Sequence, residues 1–321
     1  MNPYFSIITP VHNQENILEK CVRSLQAQTD PDFEVIFVDD GSTDGSAGLL
    51  REMTKGDPRF RLVQHDRNRS VLEARRTGME QVTGQRVLFV DIDDYLEAEA
   101  LSVLREALAE NPVDILSFQM WDDTRQRLLT PPKDPDRLRA LLTGQALSCL
   151  MYHAISAGLI RQALPCIQPG YCNMGEDYYI STVLLTFARS CGTLDRTLYH
   201  YITGQGMSTS MSGVSMEKLK RQVSYLDFAL DHMKAFLAGH NPSYLPYLPQ
   251  TRYAVLTGTL WQYIGKEVTW PMFVRYISLF DTEEDRNVFE WACSELLLFR
   301  AGYELKEKKQ EKQADRTGGG A

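Results

Sequence analysis

Along the first 120 residues, short apolar runs alternate with amphipathic stretches. FSIITPV (5–11), FEVIFV (33–38), RFRLVQH (59–65), RVLFV (86–90) and VDILSFQM (113–120) each gather Val, Ile, Leu or Phe in a run of strand length. Between the first two, Ile17, Leu18, Cys21, Val22 and Leu25 recur every three or four residues and so share one helix face. Residues 43–55 and 70–82 fit helices of the same kind. Strand, helix and strand repeated in this way predict an α/β fold, a doubly wound, mostly parallel sheet.

Past Trp121 the pattern loosens. DDTRQRLLTPPKDPDRL is polar and proline-bearing, which predicts a loop or a strand pair projecting from the sheet edge. Order returns over 155–164. NMGEDYYISTVLLTFA reads as a loop entering a helix, and GTLDRTLYHYIT as a strand or two. From Met216 onward Leu219, Val223, Leu226, Leu230, Met233 and Leu237 keep a helical spacing. The expected organisation is a sheet domain over 1–210, a helical C-terminal region over 211–303 and a disordered tail over 304–321, where a charge run ends in glycines. No internal repeat is present.

Composition narrows the function. The chain has 321 residues, is 43% hydrophobic and carries a formal charge of -8. That supports a sizeable core and argues against nucleic acid as a partner, since no basic stripe precedes the tail lysines 306, 308, 309 and 312. Those lysines read as a solvated helix face, with anionic lipid as the alternative contact. The start reads as a strand, without the basic opening and cleavage site of a signal peptide, and no run of 18 apolar residues occurs. Six cysteines lie scattered without CxxC pairs, which fits reduced thiols. These features fit the cytoplasm. Peripheral contact with a membrane stays open through FEWACSELLLFRAGYELKEKK, although core packing is the simpler use of that helix.

Candidate chemistry gathers at one edge. In open α/β sheets ligands bind beyond the carboxyl ends of the strands. Pro10-Val11-His12-Asn13 follows the first strand, Asp39-Asp40-Gly41-Ser42 the second, and Asp91-Ile92-Asp93-Asp94 the fourth. Massed carboxylates at the end of a buried strand repel one another and persist only with compensation by solvent, donors or a cation. Mg²⁺ or Mn²⁺ is the simplest compensation, because these ions take hard oxygen ligands and complete their shells with water and phosphates. The plainer alternative is that DIDDY caps the next helix.

SIITPVHNQENILEKCVRSLQAQT, VIFVDDGSTDGS, ARRTGMEQVTGQRVLFVDIDDYL and GEDYY, in this order, resemble a family two glycosyltransferase of the GT-A fold over about residues 4–210. The resemblance implies a nucleotide-diphospho-sugar donor, UDP-linked, and a saccharide or lipid-linked acceptor. It implies that the loop at Pro10, His12 and Asn13 holds the nucleoside together with Asp40 or its neighbour Asp39, which would accept from an imide N–H. It places Asp91 on the ribose and diphosphate side, Asp93 and Asp91 at the metal, Asp94 as an orienting group, and Arg75 at the diphosphate or the aspartates. GSTDGS is then a turn and helix start with Ser42 or Thr43 as cap. It is not a dinucleotide fingerprint, which disfavours a nicotinamide cofactor. Ser70 stands where glycine is common in the pattern and Arg76 where asparagine is usual, which bears on the loop before residue 71.

Glu176 and Asp177 open a helix. Asn173 with Glu176 has the spacing of a capping box, and acids are favoured at helix starts in any case. The resemblance instead makes Asp177 the general base for the acceptor hydroxyl, with Glu176 as its orienting or acceptor-binding partner, and the transfer inverting. A helix N-terminus lowers a carboxylate pKa, so burial or nearby acids must raise it for this role. His200 is either a packed histidine or a group reaching the diphosphate or metal, and the customary arginine of the segment after the base helix is Ile202 here. Two rivals remain: a nonenzymatic nucleotide-sugar binder, which would not need Asp177, and a haloacid-dehalogenase-like phosphatase, which would need its acidic motif on the first strand.

Overall fold

The computed structural model describes residues 2–202 and 216–264. The chain divides into two units, one of Met1–Gly213 with Arg221–Val255 and one of Val214–Lys220 with Leu256–Ala321. In the second, the described residues are the helical 216–220 and 256–264. Cys293, the tail lysines, the 304–321 tail and the amphipathic helix at the end of the chain lie outside the described residues.

In the first unit β1 (Phe5–Val11), α1 (Leu18–Gln26), β2 (Phe33–Asp39), α2 (Ser46–Met53), β3 (Phe60–Gln64), α3 (Val71–Glu80) and β4 (Arg86–Phe89) alternate along the chain. They are followed by β5 (Tyr95–Leu96), α4 (Ala100–Glu110), β6 (Ile115–Asp122), β7 (Arg127–Leu129), α5 (Arg137–Leu142), β8 (His153–Ser156), α6 (Ala157–Ala163), α7 (Glu176–Phe187), β9 (Cys191–Tyr201), α8 (Met216–His240) and α9 (Leu248–Ile264). One sheet runs in the order β3-β2-β1-β4-β8-β6-β9-β5, with β7 paired to β6. β1, β2, β3 and β4 are mutually parallel, as are β6 and β9, whereas β8 runs antiparallel to both its neighbours. The fold is therefore α/β and mostly parallel, as the alternation predicts, and the hairpin β6–β7 is the strand pair expected after Trp121.

Every residue of β2 is buried, and so is every residue of β1 except Pro10. This explains why those segments read as near-continuous apolar runs rather than alternating ones, since parallel strands are covered on both faces. In α1 the buried residues are Leu18, Cys21, Val22 and Leu25, the face that the spacing predicts. Helix α2 starts later than the pattern suggests. Asp44 takes the Ser46 amide at 3.0 Å, while Ser42, an expected cap, accepts from the Asn13 amide at 2.9 Å and so ties two loops together.

The helical stretch after Met216 contributes to the same interior. From α8, Ala229, Met233, Phe236 and Leu237 join the core built on the sheet, and Phe236 meets Phe187 of α7 edge-on at 5.5 Å. Helix α8 also closes over the turn that begins α7. Gly175 there has φ +82, and a Cβ on it would lie 3.1 Å from the Leu226 side chain. Met233 is fully buried, so Met233→Ala is expected to cost about 2–5 kcal/mol of stability, read as a lower denaturant midpoint at unchanged m-value.

Candidate active site

The first two strand ends are bonded to each other. His12 Nδ1 donates to the Asp40 carbonyl at 2.8 Å, which leaves Nε2 to accept from Asn13 Nδ2 at 3.2 Å. Asn13, with φ +53, accepts from the Thr43 amide at 2.8 Å through its side-chain oxygen. The chain bends sharply at Gly41, where φ is +65 and a Cβ would sit 2.3 Å from the backbone of Arg67, so only glycine lets the 65–70 loop approach.

The adjacent acids Asp39 and Asp40 point to opposite faces of the strand end and divide the work. Asp40 is 3% exposed, and its oxygens accept from His65 Nδ1 at 2.7 Å and from the amides of Arg69 and Ser70, both at 2.8 Å. His65 Nε2 lies 2.9 Å from Thr77 Oγ1. In the ligand-free protein Asp40 is thus the anchor of the loop entering α3. Asp39, equally buried, accepts from the Ser42 amide at 3.1 Å and from the side-chain amide of Gln64 at 2.9 Å, an exposed group whose oxygen accepts in turn from Arg51.

At the end of β4, Asp91, Asp93 and Asp94 present oxygens that all lie within 4.8 Å of one another. They do not cap a helix, because α4 begins only at Ala100 with Glu99 before it. Asp94 is almost fully buried and already committed, accepting from the Tyr199 hydroxyl at 2.6 Å and the Ile202 amide at 2.7 Å. The same hydroxyl accepts from the Asp91 amide at 3.2 Å. Burial, and then the charges of Asp93 and Asp91, raise Asp94 above the usual carboxylate range. Burial, with the charge of Asp91, pushes Asp93 up to about 7. Among the described residues, the Asp93 side chain accepts from no other residue and that of Asp91 from Arg75 alone, so oxygens of both acids keep acceptor capacity beside one another. That donor set suits a hard divalent cation, with Asp94 fixing the geometry rather than ligating.

Arg75 links this cluster to the expected base. It is 2% exposed. One amino group donates to Asp91 Oδ1 at 3.1 Å, and the other to Glu176 Oε1 at 2.9 Å and, more closely, to Asp177 Oδ1. The capping-box arrangement considered for Asn173 and Glu176 is not formed. The residue before α7 is Gly175, Glu176 faces Arg75, and Asn173 accepts from the Val71 amide at 2.8 Å, at the start of α3. Burial raises Asp177 to about 8 against the pull of Arg75, with Glu176 and Asp91 adding to the rise, and Glu176 is raised as well. The helix terminus is therefore outweighed, which is the condition the base role requires.

His200 is held structurally. Its ring nitrogens lie 3.0 Å from Asp123 and 2.7 Å from Glu97, and the ring stacks on Tyr95 at 4.4 Å. Tyr199 and His65 are site-supporting residues that sequence reasoning did not single out, and Asn173, read there as a cap partner of Glu176, supports the site instead by accepting from the Val71 amide. The signal for Tyr199 in the sequence was the tyrosine-rich run LYHY, in which the residue lies.

The model for glycosyl transferase family 2 matches residues 6–164. Over those residues the chain is identified as a family 2 glycosyl transferase. A glycosyltransferase of Bacillus subtilis (strain 168) described as uncharacterized, EpsJ, is 34% identical over 141 residues, which is 44% of this chain and 41% of that protein. The chain thus spans less than half the length of this relative. Among solved structures, S. aureus TarS 1-349 in complex with UDP-GlcNAc superposes with a TM-score of 0.61 at 22% identity, covering 89% of this chain and 90% of that one. The mannosyltransferase PcManGT from Pyrobaculum calidifontis, in complex with GDP-Man and Mn²⁺, gives 0.53 at 17% identity, covering 95% and 81%. These likenesses show a GT-A fold, and no described helix is long and apolar enough to cross a membrane.

If Asp40 anchors the loop, Asp40→Ala leaves His65 and two amides without an acceptor. A loss of about 2–4 kcal/mol is expected in chemical denaturation, whereas Asp39→Ala, which strands one amide and an exposed glutamine rather than two amides and a buried histidine, is expected to cost less, about 1–2 kcal/mol.

Proposed function

We propose that the protein is an inverting, metal-assisted glycosyltransferase that moves a sugar from a UDP-linked donor to a saccharide or lipid-linked acceptor. The observation that carries this reading is the single buried guanidinium of Arg75, which joins the acid cluster after β4 to Glu176 and Asp177. It makes the donor-side and acceptor-side carboxylates parts of one site. The structural neighbours, solved with UDP-GlcNAc in one case and with GDP-Man and Mn²⁺ in the other, support a nucleotide-diphospho-sugar donor.

In this reading Asp39, with Pro10, His12 and Asn13 beside it, receives the nucleoside, and the Gln64 amide gives way to the imide N–H of the base. Asp91 and Asp93 would hold Mg²⁺ or Mn²⁺, which would supply charge neutralisation to the leaving diphosphate. Arg75 keeps Asp91 aimed at that side and holds Asp177 toward the acceptor. Asp177 takes the proton of the acceptor hydroxyl as its oxygen forms the new bond to the anomeric carbon. The bond from that carbon to the diphosphate oxygen breaks on the opposite face, the diphosphate leaves with the electron pair, and the configuration inverts. Glu176 shares Arg75 with the base and keeps it poised near neutrality. A protein that only bound nucleotide sugars would have no use for a carboxylate raised in this way, and the acidic motif lies on the fourth strand rather than the first, where a phosphatase nucleophile would be.

In calorimetry with UDP and Mn²⁺, Asp93→Ala should weaken binding by at least about tenfold, and equal affinity without the metal or in the variant would count against the cation site. With an acceptor in hand, Asp177→Asn should abolish transfer while UDP binding persists. Full activity in that variant removes Asp177 as base.

The base works deprotonated, and its pKa is raised to about 8. The rate should therefore fall about tenfold per pH unit below that region. Glu176→Gln, which removes a negative neighbour, should move this acid limb to lower pH. A profile flat from pH 5 to 8, on that scale, would exclude Asp177 as the titrating group.

A further inference from the structure

Ser70 has φ +99 and ψ 161 and is fully buried. That region of the backbone map is open to glycine and closed to nearly every other residue, and a side chain persists there only when its surroundings over-determine it. The surroundings do so from two directions. The Ser70 amide donates to Asp40 Oδ2 at 2.8 Å, on the strand-end side, and its hydroxyl donates to the Gly170 carbonyl at 3.2 Å, on the segment that leads into α7.

A second departure from the expected pattern reaches the same segment. Arg76 donates through Nε to the Ile167 carbonyl at 2.9 Å. Between the two, Glu73 Oε1 accepts from the Gly170 amide at 2.8 Å and Asn173 accepts from the Val71 amide. Residues 167–173 are thus laid along the first two turns of α3, and Arg75 on that helix grips Glu176 and Asp177 immediately downstream. Residues 70 and 76 bracket the contact, one at each end.

We propose that Ser70 and Arg76 are positioning residues for the candidate base. By pinning Gly170 and Ile167 to α3 they hold the following turn, and with it Asp177, at the register in which Arg75 can orient the carboxylate. This rests on the reading of Asp177 given above. Neither residue touches the reacting atoms.

The test uses the full chain with Ser70→Gly, Arg76→Asn and the pair combined. Ser70→Gly removes the backbone demand together with the hydroxyl, so the variant folds. Amide hydrogen exchange is followed at 167–179, UDP–Mn²⁺ affinity by calorimetry, and transfer by kcat and the donor KM. In the double variant, exchange over 167–179 should quicken about tenfold and kcat should fall about three- to tenfold, with UDP affinity and donor KM within about twofold of the parent. Arg76→Lys, which keeps a donor for Ile167, should recover most of the loss. Unchanged exchange at 167–179 in the double variant overturns the proposal, and so does a rate loss that lies entirely in donor KM. If the parent transfers no sugar, the functional reading falls, and the exchange data still decide whether Ser70 and Arg76 hold the segment.

Discussion

The guanidinium of Arg75 is the constraint on which the site depends. It lies almost entirely out of solvent, with Asp91 on one amino group and Glu176 and Asp177 on the other. Gathering one buried and two partly buried carboxylates without a partner would be costly, and one planar cation with fixed donors can satisfy acids arriving from two different elements at once. The compensation is incomplete. Burial first, and then the negative charges of their neighbours, raise Asp93, Asp94 and Asp177 above the ordinary carboxylate range. The functional reading places a divalent cation beside these acids and gives the acceptor proton to Asp177.

Helix α3 turns this constraint into geometry. At its start Asp40 fixes the backbone of Arg69 and Ser70, and Thr77 meets the same Asp40 through His65. Along its other side it carries the 167–173 segment and then Arg75. The strand end that the functional reading assigns to the nucleoside and the turn that it assigns to the base are therefore registered against one rigid element, which suits chemistry that depends on in-line approach. Helix α8 supports the arrangement from behind, with Leu226 against the turn at Gly175.

Much of this was legible in the residues. The order of strands and helices follows from apolar runs and helical spacing, which are local properties, and the three polar segments at strand ends identify the ligand edge because a parallel sheet leaves no other place for them. The family membership rests on those same short segments. Less legible was the use of each side chain within a segment. Asp39 and Asp40 are alike on paper, yet the strand pleat turns Asp40 into the α3 loop and leaves Asp39 with Ser42 and Gln64. Asn173 and Glu176 have the spacing of a cap, but Asn173 bonds to a residue 102 positions away.

What the sequence determined by itself was the α/β alternation, the acid-rich rim and the candidate acids Asp91, Asp93, Glu176 and Asp177, since periodicity and motif spacing are written within a few residues of chain. The tertiary structure alone decided that Arg75 gathers those acids, that Asp40 is an anchor, that Asp94 is held by Tyr199, and that α8 packs behind the base turn. The physical reason is that burial, and the charge compensation it demands, depends on groups brought together from distant parts of the chain.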